Sequence, residues 1–320
     1  MKGMCARNFA LLATIAAASS MGVCAKSYAT SPVGAGQCTD INAGNFNTLK
    51  AQVQAMVCAS TRGRLLIVGE IHGGRETPEL VAAVLADIAR SRPVRLGLEI
   101  PVSEQASLQT YLHSSGSAQD RASLLQAPFW KSSDGRSSNA MLQLIESARV
   151  LRSAGRDVDV FPMEPEYGGD QATVVRQGGF MHVKEAGMAE AIRKTLHDSN
   201  SKPFVVALMG NVHARYGGKG ILAESSIGPS VTEQLASAKP YVVLPFARQT
   251  NAWNCMADGC AVHAFTTSSA PQGSLPRFVV DVSTPSGPTV VKLWLPVITA
   301  SLPANPESHA AVPASPPPQH

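Results

Sequence analysis

The chain has 320 residues, of which 44% are hydrophobic, 5% aromatic and 16% charged, and its formal net charge is +4. Removal of residues 1–29 would take away three basic residues and no acidic one, which leaves the remainder nearly neutral. A neutral chain lacks the basic surface that attracts nucleic acid or an anionic membrane, so we expect no nucleic-acid partner. The partner that we expect is a small-molecule ligand or substrate.

The first 29 residues have the pattern of a secretory signal peptide. A basic start precedes a short apolar run and small residues that suit cleavage after Ala25 or Ala29. Lipid attachment at Cys24 is the alternative, and the large Val23 before it disfavours this. No later apolar run approaches the roughly 20 residues that a membrane-spanning helix needs. We therefore expect an exported protein, periplasmic or secreted, with no transmembrane segment.

Short apolar runs alternate with amphipathic segments from residue 61 to 300, after an N-terminal extension over residues 30–60. This alternation predicts a single α/β domain. Continuous Val, Ile and Leu runs separated by helices are typical of a mainly parallel β-sheet that helices cover on both faces. We predict strands at 64–70, 94–100, 157–164, 204–213 and 241–247. The predicted helices span 78–90, 104–111, 138–154 and 185–196.

The pattern changes towards the end of the chain. Two β-runs, at 277–283 and 289–295, are joined by a turn rich in Pro, Ser and Gly, which predicts a β-hairpin at an edge of the sheet. Residues 301–320 are dominated by Pro, Ala and Ser. Such a composition cannot bury a core, so we expect a disordered tail.

Four cysteines remain once residues 1–29 are removed. An even number in an exported chain favours disulfides. A metal site is the alternative, but no cysteine pair has the C-x-x-C spacing. The simplest connectivity joins neighbours in the chain, Cys38 with Cys58 and Cys255 with Cys260.

Most of the predicted parallel strands end in a carboxylate or a histidine. The carboxyl ends of parallel strands lie at one edge of the sheet, where ligands bind, so these side chains should converge. Glu99, an isolated acid within "LGLEIP", would be costly to bury without a partner, although an ion pair with an arginine is a structural alternative. The converging residues are Glu70, His72, Glu99, Glu164 and His213.

Two imidazoles and several carboxylates, with no G-x-S-x-G or H-E-x-x-H pattern, indicate activation of water. A His or Glu takes the proton from water, and the second histidine protonates the leaving group. We therefore predict four catalytic residues, His72, Glu99, His213 and Glu70. His72, Glu99 and His213 could instead hold a divalent metal that lowers the pKa of bound water. Both alternatives remain open at this point.

Three segments, "VGEIHGGRETPEL", "LGLEIP" and "LMGNVHA", resemble in this order the signatures of a known superfamily. It unites the erythromycin-esterase-like proteins, the ChaN-like haem-binding proteins and the TraB/Tiki proteases. The shared features are Gly-x-x-His after the first strand, a Glu ending the second, and a later Gly-x-x-His. They correspond here to 69–72, Glu99 and 210–213. Lys184 and Glu185 depart from an Arg-Asp pair in a further, weaker segment.

The resemblance covers roughly residues 64–215 and implies the fold predicted above, with a different function in each branch. Esterase-like members hydrolyse macrolide lactones with a His and Glu set, TraB/Tiki members resemble metal-dependent proteases, and ChaN-like members bind haem. Our main hypothesis is an exported hydrolase that acts on an ester, lactone or peptide, either with or without the assistance of a metal. The alternatives are a ChaN-like haem-binding protein and a secreted binding module. Haem needs an axial ligand and an apolar slot. The candidate cofactor-binding residues are Glu164, together with Tyr167, His182 and Tyr216 in predicted loops.

Overall fold

A computed structural model describes the main part of the chain. The described residues are 46–61, 63–167, 171–198, 200–217, 228–283 and 286–309. The predicted signal peptide, Cys24, Cys38 and residues 310–320 lie outside this part. Within it, no helix is long and apolar enough to cross a membrane.

The described strands form one mostly parallel sheet in the order β3-β2-β4-β1-β5-β8-β7, with β6 paired to β5. Every pair is parallel except β5 with β6 and β7 with β8. The sheet confirms the predicted architecture, and β7 forms the predicted hairpin with β8 at one edge. The strands are β1 Leu65–Glu70, β2 Val94–Pro101, β3 Val158–Glu164, β4 Phe204–Gly210, β5 Tyr241–Met256, β6 Gly259–Thr266, β7 Arg277–Ser283 and β8 Thr289–Ile298.

Helices cover both faces of this sheet, as predicted. Successive strand residues point to opposite faces, so Leu66 and Val68 pack against one helical layer and Leu65 and Ile67 against the other. The first layer contains α1, α2, α3 and α5, and the second contains α7, α8 and α9. The helices are α1 Leu49–Ser60, α2 Glu76–Ile88, α3 Gln105–Leu112, α4 Ala118–Leu125, α5 Asn139–Ser153, α6 Gln171–Arg176, α7 Phe180–Leu196, α8 Asn211–Ala214 and α9 Val231–Gln234.

The strand register brings the polar strand ends to one edge. Glu70 at the end of β1 lies opposite Gly210 at the end of β4. Glu164 at the end of β3 lies opposite Pro101 in β2, two residues after Glu99. Parallel pairing of β3, β2, β4 and β1 therefore places these four carboxyl ends side by side.

Two predicted boundaries near this edge are wrong. Strand β4 ends at Gly210 rather than at residue 213, and the next four residues wind into α8. Helix α7 begins at Phe180, five residues earlier than predicted, so His182 lies in its first turn rather than in a loop. The periodic apolar residues of α7, Met188 and Ile192, face the core, whereas its first turns carry little of that pattern.

The chain beyond residue 300 differs from the expected disordered tail over residues 301–309. Pro303 forms a β-bridge with Ser138. Ala304 and Ser308 are buried, and the Ser308 hydroxyl donates a hydrogen bond to the Trp130 carbonyl. This segment therefore packs against the rest of the domain. Its Pro and Ala residues have no periodic pattern that would predict this packing from the sequence.

Strand β5 extends nine residues beyond its predicted end at 247 and forms an unpredicted hairpin with β6. Cys255 and Cys260 lie opposite each other in this hairpin and form the predicted disulfide. Cys58 is also disulfide-bonded. Its proposed partner Cys38 lies outside the described residues, so that pairing stays a prediction.

Candidate active site at the carboxyl edge of the sheet

The structure brings together the predicted His, Glu and His residues. His72 Nδ1 lies 2.7 Å from Glu70 Oε1. His72 Nε2 lies 3.5 Å from Glu99 Oε2, and His213 Nε2 lies 3.5 Å from the other oxygen, Oε1. Glu99 is therefore at the centre of a group formed from the ends of three neighbouring strands.

The Glu70–His72 pair holds an imidazole at the accessible side of the group. The His72 side chain is 27% exposed, whereas Glu70 and Glu99 are each 4% exposed. Burial lowers the pKa of His72, but the carboxylates of Glu99 and Glu70 outweigh it and raise the pKa above its ordinary value. Because Nδ1 is anchored on Glu70, Nε2 is the nitrogen left to act on a ligand, and it faces Glu99 at 3.5 Å from the accessible side of the group.

Glu99 is held as a carboxylate by the groups around it. Lys184 Nζ lies 2.8 Å from Glu99 Oε1, and the Gly210 N–H donates to Oε2 at 2.8 Å. Burial alone would raise the Glu99 pKa, but His72, His213 and Lys184 hold it well below its usual range. A Cβ at position 210 would lie 2.8 Å from His72 Nε2, so a larger residue there would push the His72 ring away from this position.

His213 is buried between two carboxylates. Its Nδ1 lies 2.9 Å from Glu185 Oε1, while Glu185 Oε2 accepts the Val231 N–H at 2.9 Å. Burial lowers the His213 pKa, but the hydrogen bond to Glu185 and the nearby Glu99 raise it to about 9. His213 is therefore an imidazolium at neutral pH.

This raised pKa predicts a loss of stability at alkaline pH. The folded-state pKa of His213 is about 9, against an ordinary value of 6.5. The contribution of its protonated ring to folding stability is therefore complete below pH 6.5 and disappears as the pH rises through 9. The change amounts to about 3 kcal/mol in the free energy of unfolding. Urea denaturation of the wild type at about pH 6, 8 and 10 should show this decrease in the free energy of unfolding. In His213→Gln the free energy of unfolding should depend much less on pH. The exposed-histidine variant His113→Gln serves as control, and an unchanged pH dependence in His213→Gln would contradict this assignment.

Four charged residues of the site were missed as functional candidates. Lys184 Nζ also lies 3.3 Å from Glu164 Oε1, and Arg136 Nη1 pairs with Glu164 and lies 3.7 Å from Glu99. Asp134 pairs with Arg136 Nη2 at 2.5 Å. The fourth is Glu185, which contacts His213. The sequence does indicate that Lys184 faces inward, because it precedes the core residue Met188 by one helical turn.

The hairpin of β5 and β6 fixes the loops that carry His72 and Arg136. The Trp253 indole N–H donates to the Ser133 carbonyl at 2.9 Å, three residues before Arg136. The Trp253 backbone N–H donates to the Gly73 carbonyl at 3.2 Å, next to His72. One residue of the hairpin thus links the two loops, and the disulfide closes that hairpin two residues away.

The predicted haem-binding residues do not have the surroundings of haem ligands. The Tyr167 hydroxyl donates to Glu164 Oε1 at 3.1 Å, and burial together with Glu164 raises the Tyr167 pKa. A tyrosine held protonated opposes ligation of iron through the phenolate. Tyr216 follows α8 and packs on the core layer that contains α7. A Cβ on Gly228 would lie 2.3 Å from His182 Nδ1, so the chain crowds that nitrogen.

A divalent metal fits the group poorly as well. The oxygens of Glu99 already face the ammonium of Lys184 and the N–H of Gly210. A dication between His72, Glu99 and His213 would also meet the guanidinium of Arg136, which lies 3.7 Å from Glu99. Among the residues that the structure describes, no group of three His, Cys, Asp or Glu side chains could hold a metal ion.

Comparison with known proteins finds similar structures only. No protein-family model and no curated protein matches the sequence. A Bacillus cereus protein of solved structure has a TM-score of 0.55 at 10% identity, covering 81% of this chain and 94% of its own. The likeness is one of fold. At such an identity function does not follow from it.

Two further structures belong to branches that the three signatures resemble. A mutant of the erythromycin esterase EreC in its open conformation has a TM-score of 0.46 at 11% identity, covering 66% of this chain and 77% of its own. Haem-bound ChaN of Campylobacter jejuni has a TM-score of 0.34 at 11% identity, covering 60% of this chain and 84% of its own. Likenesses this weak carry no argument, and the function is argued from the site alone.

Proposed function

We propose that this protein is a hydrolase in which His72 activates water against the carbonyl of an ester, lactone or peptide. The observation that carries the proposal is the Glu70–His72 pair at the accessible side of the buried group. A carboxylate on Nδ1 orients the ring and strengthens Nε2 as a base. His72 takes a proton from water as the water oxygen bonds to the carbonyl carbon. The same imidazolium then returns the proton to the leaving group as the bond between that group and the carbonyl carbon breaks.

The cations beside Glu99 have a separate role in this proposal. Lys184 and Arg136 lie next to the carboxylates of the site, where positive charge stabilises the oxyanion that forms on the carbonyl oxygen. His213 faces Glu99 at the same 3.5 Å as His72, but its side chain is only 7% exposed and its other ring nitrogen lies against the buried Glu185. We therefore propose it as a positioning residue for Glu99, instead of the acid that protonates the leaving group.

The proposed hydrolase works outside the cytoplasm. The Cys255–Cys260 disulfide supports an oxidising compartment, and the signal-peptide pattern of residues 1–29 agrees with it. Haem binding is the alternative function, and only the sequence resemblance favours it, since Tyr167 and His182 lack suitable surroundings.

A substrate panel tests the proposed function. Purified protein without residues 1–29 is assayed on chromogenic esters, lactones and peptides, with and without a chelator, and is titrated with haem. We expect hydrolysis of at least one class, at a rate that the chelator leaves unchanged because no metal takes part. Absence of all hydrolysis, together with a Soret shift on adding haem, would replace the hydrolase by the haem-binding alternative. A rate lost on chelation and restored by a metal would overturn the metal-free mechanism.

A further inference from the structure

An aromatic pair stands beside the buried charges of the site. The rings of Tyr167 and Phe180 are stacked, with centroids 4.0 Å apart and planes at 29°. The polar end of this pair is tied to the site, because the Tyr167 hydroxyl donates to Glu164 at 3.1 Å. The other end is open, since Phe180 is 49% exposed.

Two features of the chain set this position. Phe180 and Lys184 are four residues apart in α7, so they share one face of the helix, with Phe180 one turn nearer the N-terminus. Pro165 packs against Gly187, where a Cβ would lie 2.4 Å from the proline ring. This contact holds the chain after β3 against α7, and Tyr167 thereby reaches Phe180. The helix face that delivers Lys184 to Glu99 thus also presents an apolar ring to solvent.

We propose that Phe180, stacked on Tyr167, binds an apolar acyl chain of the substrate, which makes esters of medium-chain carboxylic acids the favoured class. This inference rests on the proposed hydrolase function for its catalytic step. Phe180 is continuous with the site through Tyr167 and Glu164, so a substrate with its carbonyl near Lys184 would place its chain over the Phe180 ring. A half-exposed aromatic ring gains apolar contact when such a chain covers it. The stacking on Tyr167 holds Phe180 in one orientation, so little freedom is lost on binding.

The chain-length dependence of hydrolysis tests this inference. For the wild type, kcat/KM on para-nitrophenyl esters should rise about two- to fourfold for each methylene added from acetate to octanoate. In Phe180→Ala the octanoate-to-acetate ratio should fall by at least about tenfold, whereas Phe180→Tyr keeps the ring and should keep the ratio. Val150, on the opposite helical layer and 48% exposed, gives the control Val150→Ala, which should match the wild type.

A binding measurement separates this inference from the catalytic proposal. Calorimetric titration of the wild type with butanoate and octanoate needs no turnover, and octanoate should bind more tightly than butanoate in the wild type only. If no ester is cleaved but this difference appears and Phe180→Ala removes it, the hydrolase proposal fails and the acyl site stands. If neither acid binds, or Phe180→Ala keeps the preference for octanoate, the acyl site is overturned, whatever the hydrolytic activity. Thermal melting of Phe180→Ala confirms that the variant is folded.

Discussion

His72→Ala should lower kcat by about 10²–10⁴-fold on any substrate that the wild type hydrolyses, because the variant lacks the base that takes the proton from water. The Nε2 atom of His72 faces Glu99 at 3.5 Å, and its ring is the most accessible of the central group. His113→Ala, which removes a histidine from the end of α3, should keep the wild-type rate. Steady-state kinetics of the three proteins on one substrate measure the difference. Full activity in His72→Ala would refute the proposed base.

The pH dependence of the same reaction gives a second signature of His72. The base acts in its neutral form, so kcat/KM should rise with pH through a midpoint above the ordinary value of 6.5, since the His72 pKa is raised. Glu70→Gln removes the negative charge beside His72 Nδ1, which lowers that pKa and moves the midpoint to lower pH. The loss of orientation should also lower the rate by about 10–100-fold. A midpoint that does not move in Glu70→Gln would show that another group titrates.

The edge where this chemistry is proposed follows from local features of the sequence. The runs before Glu70 and around Glu99 are apolar on both faces, which is the mark of a central parallel strand. Since parallel strands end at one edge, the convergence of Glu70, His72, Glu99 and His213 needs no knowledge of side-chain positions. Their pairing could not be derived in this way, because it depends on distances of a few ångströms set by the turns after each strand.

The rest of the site comes from segments without periodicity. Arg136 lies in a polar loop, and its contact with Glu164 depends on how the hairpin of β5 and β6 holds that loop through Trp253. Strand β6 is exposed along most of its length, so it shows no alternation of apolar and polar residues, and its sequence does not predict a strand. Lys184 is the exception, because it departs from a family segment and precedes the core residue Met188 by one helical turn.

Glu99→Gln should lower the free energy of unfolding by about 3–5 kcal/mol, because it leaves a buried ammonium and a buried imidazolium without their shared anion. Lys184 Nζ lies 2.8 Å from Glu99 Oε1, and His213 Nε2 lies 3.5 Å from the same oxygen. Glu104→Gln is a matched control. Glu104 is 5% exposed against 4% for Glu99, and it accepts the Phe129 N–H at 2.9 Å without any ion pair in the described part of the chain. Glu104→Gln keeps a hydrogen-bond acceptor for the Phe129 N–H, so it should lower the free energy of unfolding much less than Glu99→Gln does. Urea denaturation at neutral pH measures both.

The double variant Glu99→Gln/Lys184→Met separates the charge effect from loss of packing. Glu99→Gln leaves the Lys184 ammonium with Glu164 alone, so removing that ammonium should recover part of the lost stability, and the two changes should be non-additive by more than about 1 kcal/mol. The His213 pKa should fall in Glu99→Gln, since one of its two carboxylates is gone, and the alkaline loss of stability should move to lower pH. Strict additivity of the two substitutions, with an unchanged pH dependence, would mean that Glu99 does not hold these cations together. Recovery in the double variant without recovery of hydrolysis would place Lys184 and Glu99 in the reaction itself, because charge balance alone would then restore the fold and leave the chemistry absent.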